Sequence, residues 1–206
     1  MEGCAIDHAQ TAMQDLLESH INATRQDNAA DNLASAYMCL NAQQKEVVDL
    51  IITKVCKEEK AIRLLVSGQA GTGKSMVIHT LRRLVSQHYV STALPVVVAA
   101  PTGLAAFSIN GTTIHRLLSL PVEHGKPADY YPLQQEQLTT IRATLRDVKL
   151  IIIDEVSMVS SLVLLYIHLR LTEIMSTNEF FGGISIIVFG DFLQLPPVKV
   201  ISHLSL

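Results

Sequence analysis

The segment from Gly68 to Ser75 reads Gly-Gln-Ala-Gly-Thr-Gly-Lys-Ser and constrains the fold more than any other part of the sequence. It matches the pattern G-x-x-x-x-G-K-S, follows the apolar run Ile62 to Val66 and precedes a stretch with helical spacing. Glycines in this pattern let backbone N–H groups surround the α and β phosphates of a nucleotide. The context of a strand before and a helix after favours a phosphate loop over a coincidental glycine-rich turn. The sequence therefore predicts a nucleoside triphosphate site.

All eight residues of the loop are predicted to bind the nucleotide: Gly68, Gln69, Ala70, Gly71, Thr72, Gly73, Lys74 and Ser75. Lys74 can reach the β and γ phosphates, so it is also a predicted catalytic residue. The hydroxyl of Ser75 is a predicted ligand of Mg²⁺.

Composition limits the remaining possibilities. A chain of 206 residues with 49% hydrophobic residues can bury one substantial α/β core. The net charge of -3 gives no overall basic character, so a nucleic-acid contact would have to come from a local patch or from backbone amides. Cys4, Cys39 and Cys56 lack zinc-site spacing and are odd in number, which indicates reduced thiols in an intracellular protein.

Membrane insertion is not predicted. The longest apolar stretch, Ser161 to Met175, is interrupted by His168, Arg170 and Glu173. It is also shorter than the roughly 20 apolar residues that a membrane span requires. We expect a buried helix there, and the N-terminus has neither the positive nor the apolar region of a secretory signal.

Apolar runs alternate with helical patterns along the rest of the chain. Strands are predicted at 62–66, 96–100, 149–153 and 184–189, and helices at 41–57, 76–85, 134–145 and 160–175. This alternation predicts an α/β fold with a mostly parallel sheet and helices on both faces. Residues 1–36 are polar and are expected to form a mobile arm, residues 37–206 one domain, and Pro121 to Pro132 an exposed insertion.

Two carboxylates, Asp154 and Glu155, directly follow the apolar run Ile151 to Ile153. Ligands of open α/β sheets gather at this end of a strand. An aspartate here can hold Mg²⁺, through water or directly, while the adjacent glutamate polarises the water that attacks the γ-phosphate. Such a pair is common after hydrophobic residues, so the assignment depends on the phosphate loop upstream. With that loop present, Asp154 is a predicted metal ligand and Glu155 a predicted catalytic residue.

The segment Phe189 to Pro197 follows the last predicted strand. Gln194 carries a neutral amide that can hydrogen-bond the γ-phosphate, and Pro196 and Pro197 would fix its loop. Gln194 is therefore a predicted catalytic residue. A rigid turn with a solvated glutamine is the alternative interpretation.

Residues 100–106 and 111–115 form a further group beyond the second strand. Small residues, hydroxyls and free N–H groups suit a phosphodiester backbone. On chemistry alone, a packed turn between strand and helix is equally compatible, and His115 is equally compatible with a core histidine.

In this order the motifs resemble those of the Pif-type helicases of superfamily one, including the helicase segments of Helitron transposons, from about Leu40 to Val198. The corresponding segments are Leu40 to Gln44 (the Q motif), Gly68 to Ser75 (motif I), Ala100 to Ala106 (motif Ia), Gly111 to His115 with Leu117 to Pro121 (the segment that follows single-stranded DNA), Asp154 to Met158 (motif II) and Gly190 to Pro197 (motif III).

The resemblance implies a RecA-like motor domain with ATP as substrate, Mg²⁺ as cofactor and single-stranded DNA as a partner bound through backbone contacts. It implies that Gln44 reads the adenine edge with its amide. The implied DNA-binding residues are Pro101, Thr102, Gly103, Thr112 and His115. The implied activity is that of a five-prime to three-prime ATP-dependent DNA helicase of DNA repair, recombination and telomere maintenance, in the nucleus or mitochondria.

The sequence departs from this pattern at its end. Such helicases continue into a second RecA-like domain with motifs IV to VI, whereas this sequence ends at Leu206. Arginines of that second domain stabilise the transferring phosphoryl group, and such a residue can contribute about 10³ to 10⁵ in rate. We therefore expect the chain alone to bind ATP with Mg²⁺ weakly, to hydrolyse it very slowly and to unwind nothing.

Two other classes of function compete with a helicase motor domain. One is a non-catalytic nucleotide-binding module, or an inactive helicase fragment, that acts by associating with DNA or a partner. The other is a phosphate-loop kinase or GTPase, but the sequence has no visible acceptor site, arginine-bearing lid or Asn-Lys-x-Asp base reader.

Overall fold

Five short strands form one sheet in the computed structural model of the chain, which describes residues 33–121 and 129–191 together with Glu18 and Asn22. Their bounds are Arg63–Ser67 (β1), Val96–Ala100 (β2), Thr112–Thr113 (β3), Leu150–Ile153 (β4) and Ser185–Gly190 (β5). The strand order is β1-β5-β4-β2-β3 and every pairing is parallel. The predicted parallel sheet is confirmed, and each predicted strand agrees to within one residue at either end. The two-residue strand β3 was not predicted, because it lacks an apolar run.

Seven α-helices lie within the described ranges 33–121 and 129–191: Leu33–Met38 (α1), Ala42–Ile52 (α2), Lys74–His88 (α3), Gly103–Ser108 (α4), Ile114–Leu118 (α5), Gln135–Leu145 (α6) and Ser161–Met175 (α7). A π-helical turn, Thr53–Lys57, continues α2, and 3-10 turns cover Val156–Met158 and Phe180–Gly183. Side-chain caps fix the starts of α2 and α7, where the side chains of Asn41 and Ser160 accept hydrogen bonds from backbone N–H groups.

Side chains of the sheet alternate between two faces, and each face carries its own hydrophobic cluster. Along β2, Val97 and Ala99 belong to one cluster, while Val96, Val98 and Ala100 belong to the other. Helices α5, α6 and α7 cover the first face, and α2, α3 and α4 cover the second. The predicted placement of helices on both faces is confirmed. Burial on both sides also explains why the inner strands are continuous apolar runs.

The buried helix predicted at Ser161 to Met175 is present as α7, and it is buried along one face only. Ile167, Leu171 and Ile174 pack on the sheet, but Leu164 is 36% and Leu165 47% exposed. Only one stripe of a helix lying on a sheet can contact that sheet. Between 33 and 121 and between 129 and 191, no helix is long and apolar enough to cross a membrane.

The charged residues that interrupt α7 hold the end of the predicted insertion. Arg170, which is 1% exposed, donates from Nη1 to Glu173 Oε2 at 2.7 Å and from Nη2 to the Tyr131 carbonyl at 3.0 Å. The Tyr130 hydroxyl donates to Glu173 at 2.8 Å. Residues 122–128 of the insertion and most of the predicted arm 1–36 lie outside the described residues.

Candidate nucleotide site

The predicted phosphate loop connects β1 to α3, and hydrogen bonds to the end of β5 hold it. Gly68 N donates to the Gly190 carbonyl at 3.1 Å, and Ala70 N donates to Asp191 Oδ2 at 3.1 Å. Within the loop, the Thr72 hydroxyl donates to the Gln69 carbonyl at 2.8 Å. Strand β1 pairs with β5 up to Ser67 and Gly190, so the register of the sheet brings these two strand ends together.

Lys74 lies at the start of α3 with its ammonium turned into the loop. Its Nζ donates to the carbonyls of Gly68 at 2.7 Å and Gln69 at 3.0 Å. The next residue, Ser75, is exposed in the first helical turn. The N-terminal end of a helix carries partial positive charge and unpaired N–H groups. The Lys74 ammonium and the start of α3 therefore lie at the same loop, where they suit a polyphosphate, and Ser75 is exposed beside them.

The acidic pair follows β4 as predicted, and the two residues differ in their surroundings. Asp154 is 6% exposed, and its Oδ1 accepts a hydrogen bond from Glu155 N at 2.9 Å. Burial raises the pKa of the Asp154 carboxyl, Glu155 adds to that rise, and the Glu155 amide and the Lys74 charge act against it. Glu155 is half-buried and has a φ of +52°, a left-handed conformation that is strained for glutamate. This turn separates a buried carboxylate from a more accessible one.

The residues present suit a magnesium ion held jointly with a nucleotide. Ser75 and Asp154 carry oxygen atoms of the kind that Mg²⁺ prefers, and a cation would stabilise the charged form of the buried Asp154 carboxyl, whose pKa is raised by burial. No group of three or more His, Cys, Asp or Glu residues able to hold a metal exists in the part of the chain that the structure describes. This donor set matches the usual magnesium site, in which one or two carboxylates share the ion with substrate phosphates.

Asp191 is a residue of the site that sequence reasoning missed. It is 5% exposed, and its carboxylate accepts the hydrogen bond from Ala70 described above. The sequence Phe189-Gly190-Asp191 could have predicted it, because an aspartate directly after a parallel strand lies at the ligand-binding edge of the sheet. If that aspartate is buried, it needs a hydrogen-bond partner there. Gly190 itself has a packing role, since a Cβ there would lie 2.8 Å from Val156 Cγ1, after the acidic pair.

Gln44 lies in the first turn of α2. Both the oxygen and the nitrogen of its side-chain amide form hydrogen bonds with backbone groups. Its Oε1 accepts from Asn41 N at 2.9 Å, and its Nε2 donates to the Thr72 carbonyl at 2.8 Å. A cavity of about 320 Å³ opens between α2 and the loop, lined by residues that include Gln44, Thr72, Lys74 and Phe189. The predicted reader of the adenine edge therefore borders a cavity beside the phosphate loop, but its amide also contacts the protein.

The predicted DNA-binding residues lie together beyond the end of β2 and divide into two kinds. Pro101, Thr102 and His115 are half-buried and Gly103 is exposed, whereas Thr112 is 7% exposed. Thr112 lies in β3 opposite Ala99, so the structure favours packing over the predicted DNA contact for this side chain. The Thr102 hydroxyl accepts from Ala105 N at 3.2 Å and caps α4.

A buried arginine connects this segment to the phosphate-loop helix. Arg82 of α3 is 1% exposed and donates from Nη1 to the carbonyls of Ile109 at 3.3 Å and Asn110 at 3.0 Å. These carbonyls immediately precede β3. The predicted catalytic residue Gln194 lies outside the described residues, as do its neighbours from 192 onwards.

A parallel sheet with a phosphate loop after β1 and an acidic pair after β4 defines a RecA-like phosphate-loop domain. The model of the PIF1-like helicase family matches residues 39–203. The chain belongs to the PIF1-like helicase family.

Individual relatives agree with this assignment. The ATP-dependent DNA helicase RRM3 of Saccharomyces cerevisiae is 34% identical over 165 residues, which cover 80% of this chain and 22% of that protein. The ATP-dependent DNA helicase PIF1 of Danio rerio is 35% identical over 181 residues, covering 80% of this chain and 26% of that protein. The chain thus spans roughly a quarter or less of the length of these relatives.

Solved structures show the same fold. The Pif1 helicase of Candida albicans superposes with a TM-score of 0.60 at 28% identity, over 78% of this chain and 34% of that one. Pif1 from a Bacteroides species in complex with ADP-AlF4 gives a TM-score of 0.59 at 30% identity, over 79% of this chain and 34% of that one. Bacteroides Pif1 has also been solved in complex with ADP-AlF3 and single-stranded DNA, and that structure gives a TM-score of 0.57 at 28% identity.

Proposed function

We propose that this chain is the ATP-binding first motor domain of an ATP-dependent DNA helicase that moves five-prime to three-prime. The observation that carries the proposal is the phosphate loop Gly68–Ser75, held by Gly190 and Asp191, with Asp154 and Glu155 after β4. Membership of the PIF1-like helicase family supports the same assignment.

The proposed chemistry assigns separate roles to four side chains. When the nucleotide binds, the Lys74 ammonium gives up its hydrogen bonds to the Gly68 and Gln69 carbonyls and donates instead to oxygens of the β and γ phosphates. Ser75 and Asp154 are the residues that would hold Mg²⁺, which when bound neutralises charge on those phosphates. Glu155 is the more accessible carboxylate and takes up the proton of the attacking water.

Two glutamines complete the proposed site. Gln194 is proposed to hydrogen-bond the γ-phosphate, which its position in the segment that resembles motif III supports. Gln44 is proposed to border the adenine, because it lines the cavity beside the loop.

Single-stranded DNA is proposed to follow Pro101, Thr102, Gly103 and His115, mainly through backbone N–H groups. The half-buried or exposed positions of these residues, and the DNA-bound structure of Bacteroides Pif1, support this path. The overall charge of -3 requires such a local contact, because the chain lacks a basic field that would attract DNA.

The biological setting that we propose is DNA repair, recombination and telomere maintenance in the nucleus or mitochondria. It is supported by family membership and by the relatives named as ATP-dependent DNA helicases.

We further propose that full turnover depends on a second motor domain supplied from outside residues 1–206. An arginine finger from such a domain is worth about 10³ to 10⁵ in rate.

ATP turnover by the purified chain, with and without single-stranded DNA at low salt, tests the proposal. Low salt preserves weak contacts to the DNA backbone. We expect slow turnover that Glu155→Gln abolishes while ATP binding persists. Turnover of the same rate in the parent and in Glu155→Gln would contradict the catalytic assignment. Fast, DNA-stimulated turnover would contradict the need for a second domain.

A further inference from the structure

Gln44 joins two parts of the molecule that are separate in the sequence. It is the N3 residue of α2, and its backbone N–H donates to Asn41 Oδ1 at 2.9 Å while its own Oε1 accepts from Asn41 N at 2.9 Å. This reciprocal pair is a capping box, which fixes the first turn of the helix and the direction of the Gln44 side chain. The first turn of α2 therefore orients the Gln44 side chain in the ligand-free chain.

The other end of the same amide lies against the backbone of the phosphate loop. Gln44 Nε2 donates to the Thr72 carbonyl at 2.8 Å. The next residue, Gly73, has a φ of +81°, and a Cβ at that position would lie only 2.6 Å from Gln44 Nε2. Glycine at 73 thus permits both the left-handed conformation and the close approach of the amide.

This contact concerns the part of the loop that surrounds phosphates. Thr72 and Gly73 immediately precede Lys74 and Ser75, and the Lys74 ammonium lies within the loop. An amide has two N–H donors and two acceptor sites, so the contacts with Thr72 and Asn41 together leave Gln44 one N–H and one lone pair. The hold on the loop can therefore persist whether or not a base occupies the cavity.

We propose that Gln44 is a positioning residue for the phosphate loop and strengthens binding of the triphosphate group whichever base is attached. The proposal rests on the proposed function, since it takes the loop as the phosphate site. It assigns Gln44 a task that reading the adenine edge does not include. Base recognition alone would make Gln44 matter for ATP and not for a ligand that lacks a base.

Inorganic tripolyphosphate distinguishes these two roles because it carries the phosphates without a base. The experiment measures the Kd of ATP and of tripolyphosphate, each with Mg²⁺, for the parent chain and for Gln44→Ala. We expect Gln44→Ala to weaken tripolyphosphate about fivefold, as expected for one neutral hydrogen bond, and ATP by at least the same factor. A loss for ATP with unchanged tripolyphosphate binding would overturn the proposal, as would unchanged binding of both.

Two control variants separate positioning from helix capping. Gln43→Ala removes a neighbouring exposed amide of the same size and should leave the Kd of tripolyphosphate unchanged. Asn41→Ala removes the side-chain cap of α2 but keeps the backbone N–H that Gln44 accepts from. It should lower the thermal stability while the Kd of tripolyphosphate stays within about twofold of the parent value. If Asn41→Ala weakened tripolyphosphate as much as Gln44→Ala does, the effect would belong to capping and the proposal would fail.

Amide hydrogen exchange of the ligand-free chain gives a readout that does not require binding. In Gln44→Ala, peptides covering 69–76 should exchange faster than in the parent, and in Gln43→Ala they should not. Unchanged exchange in Gln44→Ala would overturn the proposal. If the parent chain bound neither ligand, the proposed function would fail, and the exchange result would still decide whether Gln44 holds the loop.

Discussion

Replacement of Asp191 by alanine tests how the end of β5 holds the phosphate loop. The variant removes the carboxylate that accepts from Ala70 N at 3.1 Å, in a place where Asp191 is only 5% exposed. Hydrogen bonds to charged groups contribute about 1.5 to 3 kcal/mol, and this hydrogen bond is partly buried. We therefore expect Asp191→Ala to lower the free energy of unfolding by about 1.5 to 3 kcal/mol.

Asp191→Asn is the graded partner of this variant. The asparagine keeps a side-chain oxygen that can accept from Ala70 N but loses the charge, and a neutral hydrogen bond contributes about 0.5 to 1.5 kcal/mol. Its stability should therefore fall between those of the parent and Asp191→Ala. Both variants should also bind ATP more weakly, because the backbone around Ala70 is less well fixed.

Urea unfolding followed by circular dichroism measures the first effect, and titration with ATP and Mg²⁺ measures the second. Both the free energy of unfolding and the affinity for ATP should decrease in the order parent, Asp191→Asn, Asp191→Ala. Equal stabilities of the parent and Asp191→Ala would refute the argument that this buried carboxylate supports the loop.

Three further predictions concern charge and thiol chemistry. Burial raises the pKa of Asp154, so the folded chain prefers the protonated acid. The stability of the parent should therefore fall as the pH rises from the unfolded-state pKa, about 3.8, through the raised pKa of the folded chain. Asp154→Asn should lack this fall and unfold at a higher temperature at neutral pH, yet lose Mg²⁺-dependent ATP binding; a less stable variant would contradict the burial argument. Arg82→Met should lower the free energy of unfolding in urea by about 1.5 to 3 kcal/mol, because Arg82 is buried and donates to backbone carbonyls. The control Arg146→Met, at an exposed ion pair, should cost less than about 1 kcal/mol. Equal losses in the two variants would contradict the role assigned to the buried Arg82. Burial raises the pKa of the Cys56 thiol to about 11, so iodoacetamide at pH 8 should modify the exposed Cys39 before Cys56, as mass spectrometry can show. Faster labelling of Cys56 than of Cys39 would contradict the burial of Cys56.

The strands and long helices were predictable because their signals are local. The runs that became β2, β4 and β5 are short, β-branched and apolar on both faces, as strands buried on both sides require. Asn41 marked the start of α2, and the segment predicted to be helical from Ser160 begins with the residue that caps α7. The exposed side of α7 was not predicted, because an apolar composition does not reveal which stripe meets the sheet.

The site was predictable in its residue types but not in its contacts. The loop and the acidic pair are contiguous motifs whose chemistry can be inferred from sequence. The bonds from Ala70 to Asp191 and from Gln44 to Thr72 join residues 121 and 28 positions apart, so they depend on strand order and helix placement. The burial of Thr112 likewise follows from a two-residue strand that lacks any hydrophobic pattern.

Binding of ATP with Mg²⁺ by the parent chain, Lys74→Ala and Glu155→Gln tests the central claim most directly. In the proposed site, Lys74 would donate to the phosphates and Glu155 would act on water, so the two variants should separate binding from chemistry. We predict that the parent and Glu155→Gln bind ATP alike and that Lys74→Ala binds at least about tenfold more weakly, as expected for loss of a charged hydrogen bond. Equal binding by all three chains, or no binding by the parent, would contradict the assignment of this loop as the nucleotide site.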